Sequence, residues 1–442
     1  SITMSHMFED CKELTSLDLA NFETPKVTSM ENMFSDCPKL ERIDLSKFDT
    51  KEVTLMAAMF SKCSSLISID LSKFNTEQVT DMRAMFYSCE QLTSVNLYNF
   101  NTKKVTDFSY MFSDCKGLKS VEVSQLVGDS ALRADHMFNN CKLLESIRLT
   151  QFNIYKVKDF NGFFQGDESL RTVDISGLRT DSAESLNSMF KGCKLLRIVD
   201  LSKFSTTKVT SFEDMFSDCN SLTSIEISKI STKGAIYMQR MFFSCNSLTD
   251  LDVTNFEGDS LIDMSQMFEN CKSLKSLSFL KFDTPNLKNL SNAFDNCISL
   301  ETLLFPKIKT YQVTDFNNLF ANCTSLKSVD VSHFDTSLST GFSHMFENCG
   351  KLKNLNMNNW DPSYSNYFDS MFENCESLES IDFNGFITKD AKDMRKMFKN
   401  CKKLQSLDLK DFITDEVTNM EEMFSSCESL TSLDLSKFNT KQ

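Results

Sequence analysis

The chain has 442 residues, of which 41% are hydrophobic and only 11 are Gly and 5 Pro. That is enough apolar material for a continuous core and too little Gly and Pro for a collagen-like or disordered chain. Its 61 acidic residues against 47 basic ones give a net charge of −14, a field that repels nucleic acid and anionic lipid. No run of about 18 apolar residues occurs and no charged-then-apolar leader opens the chain, so neither membrane insertion nor an uncleaved signal peptide is expected.

The chain opens in mid-unit at Ser1-Ile2-Thr3-Met4, then repeats one 26-residue unit, seen whole for the first time as Val27 to Glu52. Phe falls at 8, 34, 60 and onward to 424, seventeen positions at a constant step of 26, and Leu does the same from Leu14 to Leu430. A fixed period of this length overrides the several domains that chain length alone suggests, and predicts one uncapped solenoid over residues 1–442.

Within the unit, Leu40, Ile43, Leu45 and Phe48 include an alternation of period two around Ile43, which predicts a short strand. A turn follows at 49–51. Val53, Met56, Met59, Phe60 and Cys63 then recur at spacings of three and four, which predicts a short helix, with Thr54 placed to cap its N-terminus. The expected fold class is α/β, a leucine-rich-repeat-like solenoid of 17 turns of 26 residues with one short parallel strand and one short helix per turn. A lone unit buries too little apolar surface to offset its backbone ordering, so stacking must complete the core.

The string MFSDCPKLERIDLSKFDTKEVTLMAAMF resembles the 26-residue repeat of bacterial surface proteins and lipoproteins, the BspA-like branch of leucine-rich repeats. That resemblance covers the whole chain, and it implies a cell-surface or extracellular solenoid associated with adhesion and partner binding. Where leucine-rich repeats hold a ladder asparagine, this chain has aromatics at Phe22, Phe48, Phe74, Phe100 and later Trp360. An aromatic spine stacked turn on turn is therefore expected in place of an amide ladder. Two units depart from the pattern. Between Val157 and Thr180 the Met-Phe pair becomes Phe163-Phe164, with Gly162, Gly166 and Asp167 nearby, predicting a distorted helix. Around Trp360, Pro362, Tyr364 and Tyr367 appear.

All 16 cysteines share one phase: Cys11, Cys37, Cys63, Cys89, Cys115 and Cys141, then Cys193, Cys219, Cys245, Cys271, Cys297, Cys323, Cys349, Cys375, Cys401 and Cys427, with Asp167 in the gap. A line of one cysteine per turn does not converge as a zinc site requires. Pairing between adjacent turns stays open in an oxidising compartment. The equivalence of every unit favours buried free thiols acting as small hydrophobes. The methionine column (Met7, Met33, Met59, Met85) reads as core filler.

On the strand face a second column is acidic: Asp18, Asp44, Asp70, Glu122, Asp174, Asp200, Glu226, Asp252, Asp330, Asp382, Asp408 and Asp434. Hydroxyls flank it, as in Ser68-Ile69-Asp70-Leu71-Ser72, and the lysines three residues on (Lys47, Lys73, Lys203, Lys229, Lys281, Lys307 and Lys437) are placed to relieve the repulsion. Two readings follow: a multivalent face for divalent cations, basic proteins or polar polymers, or a solvated face whose serine and aspartate side chains bond laterally.

Catalysis finds no support. His6, His136 and His344 share one phase, His333 stands apart, and no G-x-S-x-G, H-E-x-x-H, phosphate loop or Cys/His pair occurs. No cofactor is expected. Asn289-Leu290-Ser291 and Asn322-Cys323-Thr324 fit the glycosylation pattern. The last residues, Phe438 to Gln442, run in phase with Ser1-Ile2-Thr3-Met4, so the sequence is expected to be a slice of a longer array or to join its own copies tail to head. The function expected from the sequence is a non-enzymatic surface or extracellular protein with a structural and adhesive role, continuing end to end as a fibre. The alternatives are a discrete receptor-type module that binds protein through the acidic face, and an intracellular scaffold.

Overall fold

A repeat that can bury its leucines only against its neighbours must satisfy its backbone against them as well, and the computed structural model shows both. It describes residues 2–358 and 360–440. The expectation that the ends join in phase rests on Ser1, Lys441 and Gln442 and lies outside the described residues. The chain divides into two compact units, Ser1–Ile230 and Ser231–Gln442, each a coil of the 26-residue repeat. Seventeen turns were expected; about 15 are closed, those from Phe34 to Phe398 whose repeat Phe is buried, while Phe8 and Phe424 remain partly exposed.

In the first unit the strands are β1 (Ile2–Thr3), β2 (Val27–Ser29), β3 (Ser94–Asn96), β4 (Ser120–Glu122), β5 (Ser146–Arg148), β6 (Thr172–Asp174), β7 (Ile198–Asp200) and β8 (Ser224–Glu226). In the second they are β9 (Ser276–Ser278), β10 (Thr302–Leu304), β11 (Asn354–Asn356) and β12 (Ser380–Asp382). They pair in parallel one repeat apart, Val95 against Val121 and Leu355 against Ile381. In β3, β5 and β7 to β12 the central residue is buried and its neighbours are mostly exposed, as the period-two reading requires, while in β4 and β6 the central valine is half-buried. Single bridges form a second parallel ladder, Ser29 to Leu55 to Asp81 to Asp107 to Arg133 in the first unit.

The helix is the main correction: the described residues contain none. From Met30 onward alternate amides donate to the next turn, Met30 to Leu55 O, Asn32 to Ala57 O, Phe34 to Met59 O and Asp36 to Ser61 O, at 2.8–3.0 Å. Between them, Met33 and Ser35 donate back three residues. The geometry depends on a left-handed residue every four positions, such as Asn32 (φ 54°) and Asp36 (φ 57°), and a left-handed residue ends a right-handed helix. Successive tight turns point Val53, Met56, Phe60 and Cys63 inward just as a helical stripe would. Thr54 caps nothing; its hydroxyl donates to Thr28 O of the preceding turn at 3.1 Å.

The expected aromatic spine forms only in stretches, the longest running through Phe334, Trp360, Phe386 and Phe412. Phe22 does stack on Phe48 at 5.7 Å, and Trp360, fully buried, lies between Phe334 and Phe386 with its Nε1–H donated to Val331 O. The continuous ring stack is the column of the repeat Phe, running from Phe8 to Phe216 in the first unit and from Phe242 to Phe424 in the second. Its centroids are 5.4–5.7 Å apart and its planes nearly parallel. An amide ladder exists too, in a different phase: Asn296 donates to Asn270, Asn348 to Asn322, Asn374 to Asn348 and Asn400 to Asn374, at 2.6–2.7 Å. The irregular turn at 157–180 keeps the backbone of the repeat, since Gly162 and Gly166 occupy its two left-handed positions and Phe164 stays in the ring column.

Candidate functional site

The residues that pack the coil must be separated from those free to meet a partner. The cysteine column belongs to the first group. All 16 are thiols, and each Sγ with an assigned bond donates to the carbonyl of the Phe 29 residues earlier, as Cys63 does to Phe34 O at 3.1 Å. Burial pushes Cys37 up to about 11 and Cys63 up to about 12, so these groups stay protonated donors with little nucleophilic character. A thiol reagent is expected to label Cys11 and Cys427, which are only partly buried, well before the other fourteen. Those fourteen should react only as the chain unfolds. Prompt labelling of many thiols in the native protein would count against this packing.

A threonine column that the sequence reading overlooked is equally structural. Thr50 Oγ1 donates to Asn75 O at 2.9 Å while the Asn75 amide donates back to Thr50 Oγ1 at 2.7 Å, and Thr24, Thr76 and Thr102 make the same reciprocal pair one turn on. Both sequon asparagines are half-buried and bonded: Asn322 donates to Asp295 and accepts from Asn348, and Asn289 accepts the amide and hydroxyl of Ser291 and donates to Asp263 at 3.5 Å.

The acidic column is the exposed face. Each of its twelve carboxylates accepts the amide of the residue two positions on, at 2.8–3.2 Å, from Asp18 with Ala20 to Asp434 with Ser436. The expected lateral serine–aspartate bonds are therefore bonds within one turn, of the kind aspartate makes when it closes a turn on its own backbone. The Ser46 amide, then its hydroxyl, holds Asp44 below the usual carboxylate range, with Lys47 adding a smaller pull; Ser72 and Lys73 do the same for Asp70. Asn96 and Asn356 occupy this column without charge and make the same bond, to the amides of Tyr98 and Asn358. The carboxylates do not converge: among the described residues no group of three or more His, Cys, Asp or Glu is placed to hold a metal ion.

The histidines are not on a helix. His6, His136 and His344 sit at the first left-handed position of their turns. His344 is tied on both sides, Nε2 to Asp369 Oδ2 at 3.3 Å and Nδ1 to Glu347 Oε2 at 2.7 Å. These two carboxylates push its pKa up to about 10, so it is a fixed cation and not a proton shuttle. His333 is different. It lies beside Phe305 on the strand face, on the rim of a depression of about 360 Å³ bounded by Leu280, Leu304 and Pro306. Sequence reasoning passed over this place, although Ser278 and Leu304 mark it as two successive turns lacking the column's carboxylate.

Comparison with known proteins gives a family and distant structural likenesses. The family described as "Mycoplasma protein of unknown function, DUF285" matches residues 2–125, 132–256, 198–302, 262–382 and 366–442. No curated protein matches the sequence. Among solved structures, a leucine-rich repeat protein from Bacteroides ovatus is similar at 18% identity over 94% of this chain and 86% of its own, with a TM-score of 0.46. A leucine rich cell surface protein from Faecalibacterium prausnitzii is similar at 19% identity over 69% and 83%, with a TM-score of 0.33. A leucine-rich repeat protein from Eubacterium ventriosum is similar at 14% identity over 92% and 82%, with a TM-score of 0.30.

Proposed function

The chain belongs to the DUF285 family of Mycoplasma proteins, and from that premise we propose that it is a non-enzymatic, surface-displayed or extracellular adhesive protein that binds other proteins through its acidic strand face. One observation carries this reading. Every carboxylate of the column is fixed by its own turn and all but the half-buried Asp174 are exposed, so the face offers negative charges in register with the repeat and with little side-chain entropy left to lose on binding. The placement at the cell surface follows the resemblance of the repeat itself.

The test separates charge from structure. Asp44→Asn, Asp70→Asn and Asp200→Asn together keep the oxygen that accepts the turn amide, as Asn96 already does, and remove three charges. The purified wild-type chain is expected to attach saturably to surfaces coated with basic matrix proteins. The triple variant should attach several-fold more weakly with an unchanged melting curve, and the difference should shrink as salt rises. Equal attachment by both proteins, or none by either, would overturn the proposal. Long filaments of constant width in negative-stain micrographs would replace it with the fibre.

A further inference from the structure

Across the strand face twelve of the 17 turns carry a carboxylate, and six of them read hydroxyl, carboxylate, hydroxyl, as in Ser328, Asp330 and Ser332, with the Ser332 amide donated to Asp330. In the two turns before it the pattern fails twice in succession, as Ser276, Ser278, Leu280 and then Thr302, Leu304, Pro306. The second failure removes both halves of the turn-closing bond at once: Leu304 offers no acceptor, and Pro306 has no amide to donate. Drift at one position alone would leave an orphaned partner. What stands there instead is an apolar shelf formed by two adjacent turns, with Leu304 57% and Leu280 48% exposed. It is hollowed into the depression of about 360 Å³ whose floor is Phe305 and whose far rim is Asp330 and His333.

Beyond that rim the acidic column resumes. Asp330 lies one turn from Leu304, Asp382 three turns and Asp408 four turns on, which at about 4.8 Å between parallel strands places carboxylates at roughly 5, 14 and 19 Å from the shelf. An extended polypeptide advances about 3.3 Å per residue and puts alternate side chains on one face. A segment laid along the column therefore sets a bulky apolar side chain into the shelf and brings cationic side chains over Asp330, Asp382 and Asp408.

We infer that the shelf at Leu280, Leu304 and Pro306 is the anchoring pocket for an extended segment of a partner protein, one carrying a single bulky apolar residue followed by lysines or arginines. This rests on the reading of the strand face as a protein-binding surface and names the chemistry of its ligand. The apolar anchor supplies affinity, and the carboxylates beyond it set direction and on-rate.

The probe is a fluorescein-labelled twelve-residue peptide with one leucine followed by lysine at alternate positions, titrated into the full chain and read by anisotropy. Saturable binding is expected. Leu304→Asp installs the residue type that this column carries elsewhere and should weaken binding at least tenfold; Leu280→Ser, likewise the residue of its own column, should weaken it in the same direction. Asp382→Asn should weaken binding less and flatten its salt dependence. Binding unchanged by Leu304→Asp, equal binding of a peptide with serine in place of leucine, or no saturable binding at all would each overturn the inference. If attachment to basic surfaces is still lost in the triple aspartate variant while these peptide results fail, the anchoring pocket falls and the acidic-face reading stands.

Discussion

Replacing Asp167 with cysteine is expected to stabilise the first unit at neutral pH, by at least the roughly 1–3 kcal/mol that a buried oxygen without a partner costs, and by less in acid. Asp167 occupies the cysteine column and is fully buried. One carboxyl oxygen accepts the Cys141 amide at 2.8 Å, and the other has no partner. Burial pushes its pKa well above the usual carboxylate range, and the single amide bond opposes that shift only in part. In the unfolded chain the same group ionises near its ordinary pKa of about 3.9. Above that pH the unfolded state is therefore favoured by ionisation and the native state is not, and stability falls by about 1.4 kcal/mol per pH unit until the native carboxyl also ionises. A thiol at that position would donate to the Phe138 carbonyl, as Cys193 does to Phe164, and would not titrate over the same range. Urea denaturation of wild type and D167C from pH 4 to pH 8 reads the effect directly. The gap between them should widen with pH. A gap of constant size, or a more stable wild type, would show that Asp167 is solvated or paired in solution.

Much of this architecture is legible in the sequence because a period of 26 leaves few places for the core to be. The positions of Phe34, Cys37, Leu40 and Leu45 follow from their recurrence, and the alternation around Ile43 marks the strand face. The helix was misread because spacings of three and four are common to a helix and to a run of tight turns whose apolar corners face one way. The distinguishing signal was present in the column of Asp36, which holds Asp, Asn, Ser or Gly at every turn except that of Lys62. Those residue types are the ones that tolerate a left-handed backbone or spend their side chains on it. The threonine column was hidden for another reason: Thr50 lies in a stretch that reads as a loop, and only the stacked geometry reveals that its hydroxyl serves both the amide and the carbonyl of Asn75.

The acidic face shows the same division. Its twelve members could be named from the repeat, but their role in closing turns depends on the residue two positions on, a D-x-S pattern that signals a side-chain-closed turn when read as such. Once that bond is recognised, the face carries two separable kinds of information. The bond makes each carboxylate rigid, and Asn96 shows that the bond survives without charge. What remains to serve a partner is the charge itself and the place where bond and charge are both missing, at Leu304 and Pro306.

Phe112→Ala is expected to cost about 4 kcal/mol and to uncouple the turns on either side of it. The ring is fully buried and lies 5.4 Å from both Phe86 and Phe138, with planes within 9° of parallel. Truncating a buried Phe costs about 3–5 kcal/mol in all, and within that total each stacked aromatic neighbour accounts for about 0.5–1.5 kcal/mol. The backbone at this position is untouched by the change. The Phe112 amide still donates to Met137 O at 2.8 Å, and its carbonyl still accepts the Cys141 thiol at 3.2 Å. Phe8→Ala is the matched comparison, since Phe8 is partly exposed and, among the described residues, stacks on Phe34 at 5.4 Å with no second ring, and its loss is expected to cost about 1–2 kcal/mol. In a stack where each turn contacts only its neighbours, weakening one interior interface lets the segments on its two sides melt separately, whereas weakening the outermost turn only frays it. Urea denaturation should therefore broaden or split for F112A and keep its shape for F8A, with hydrogen exchange rising first in the turns around 112. Similar curves for the two variants would mean that the rings are interchangeable filler and that the ladders of threonine, asparagine and backbone amides alone hold turn to turn.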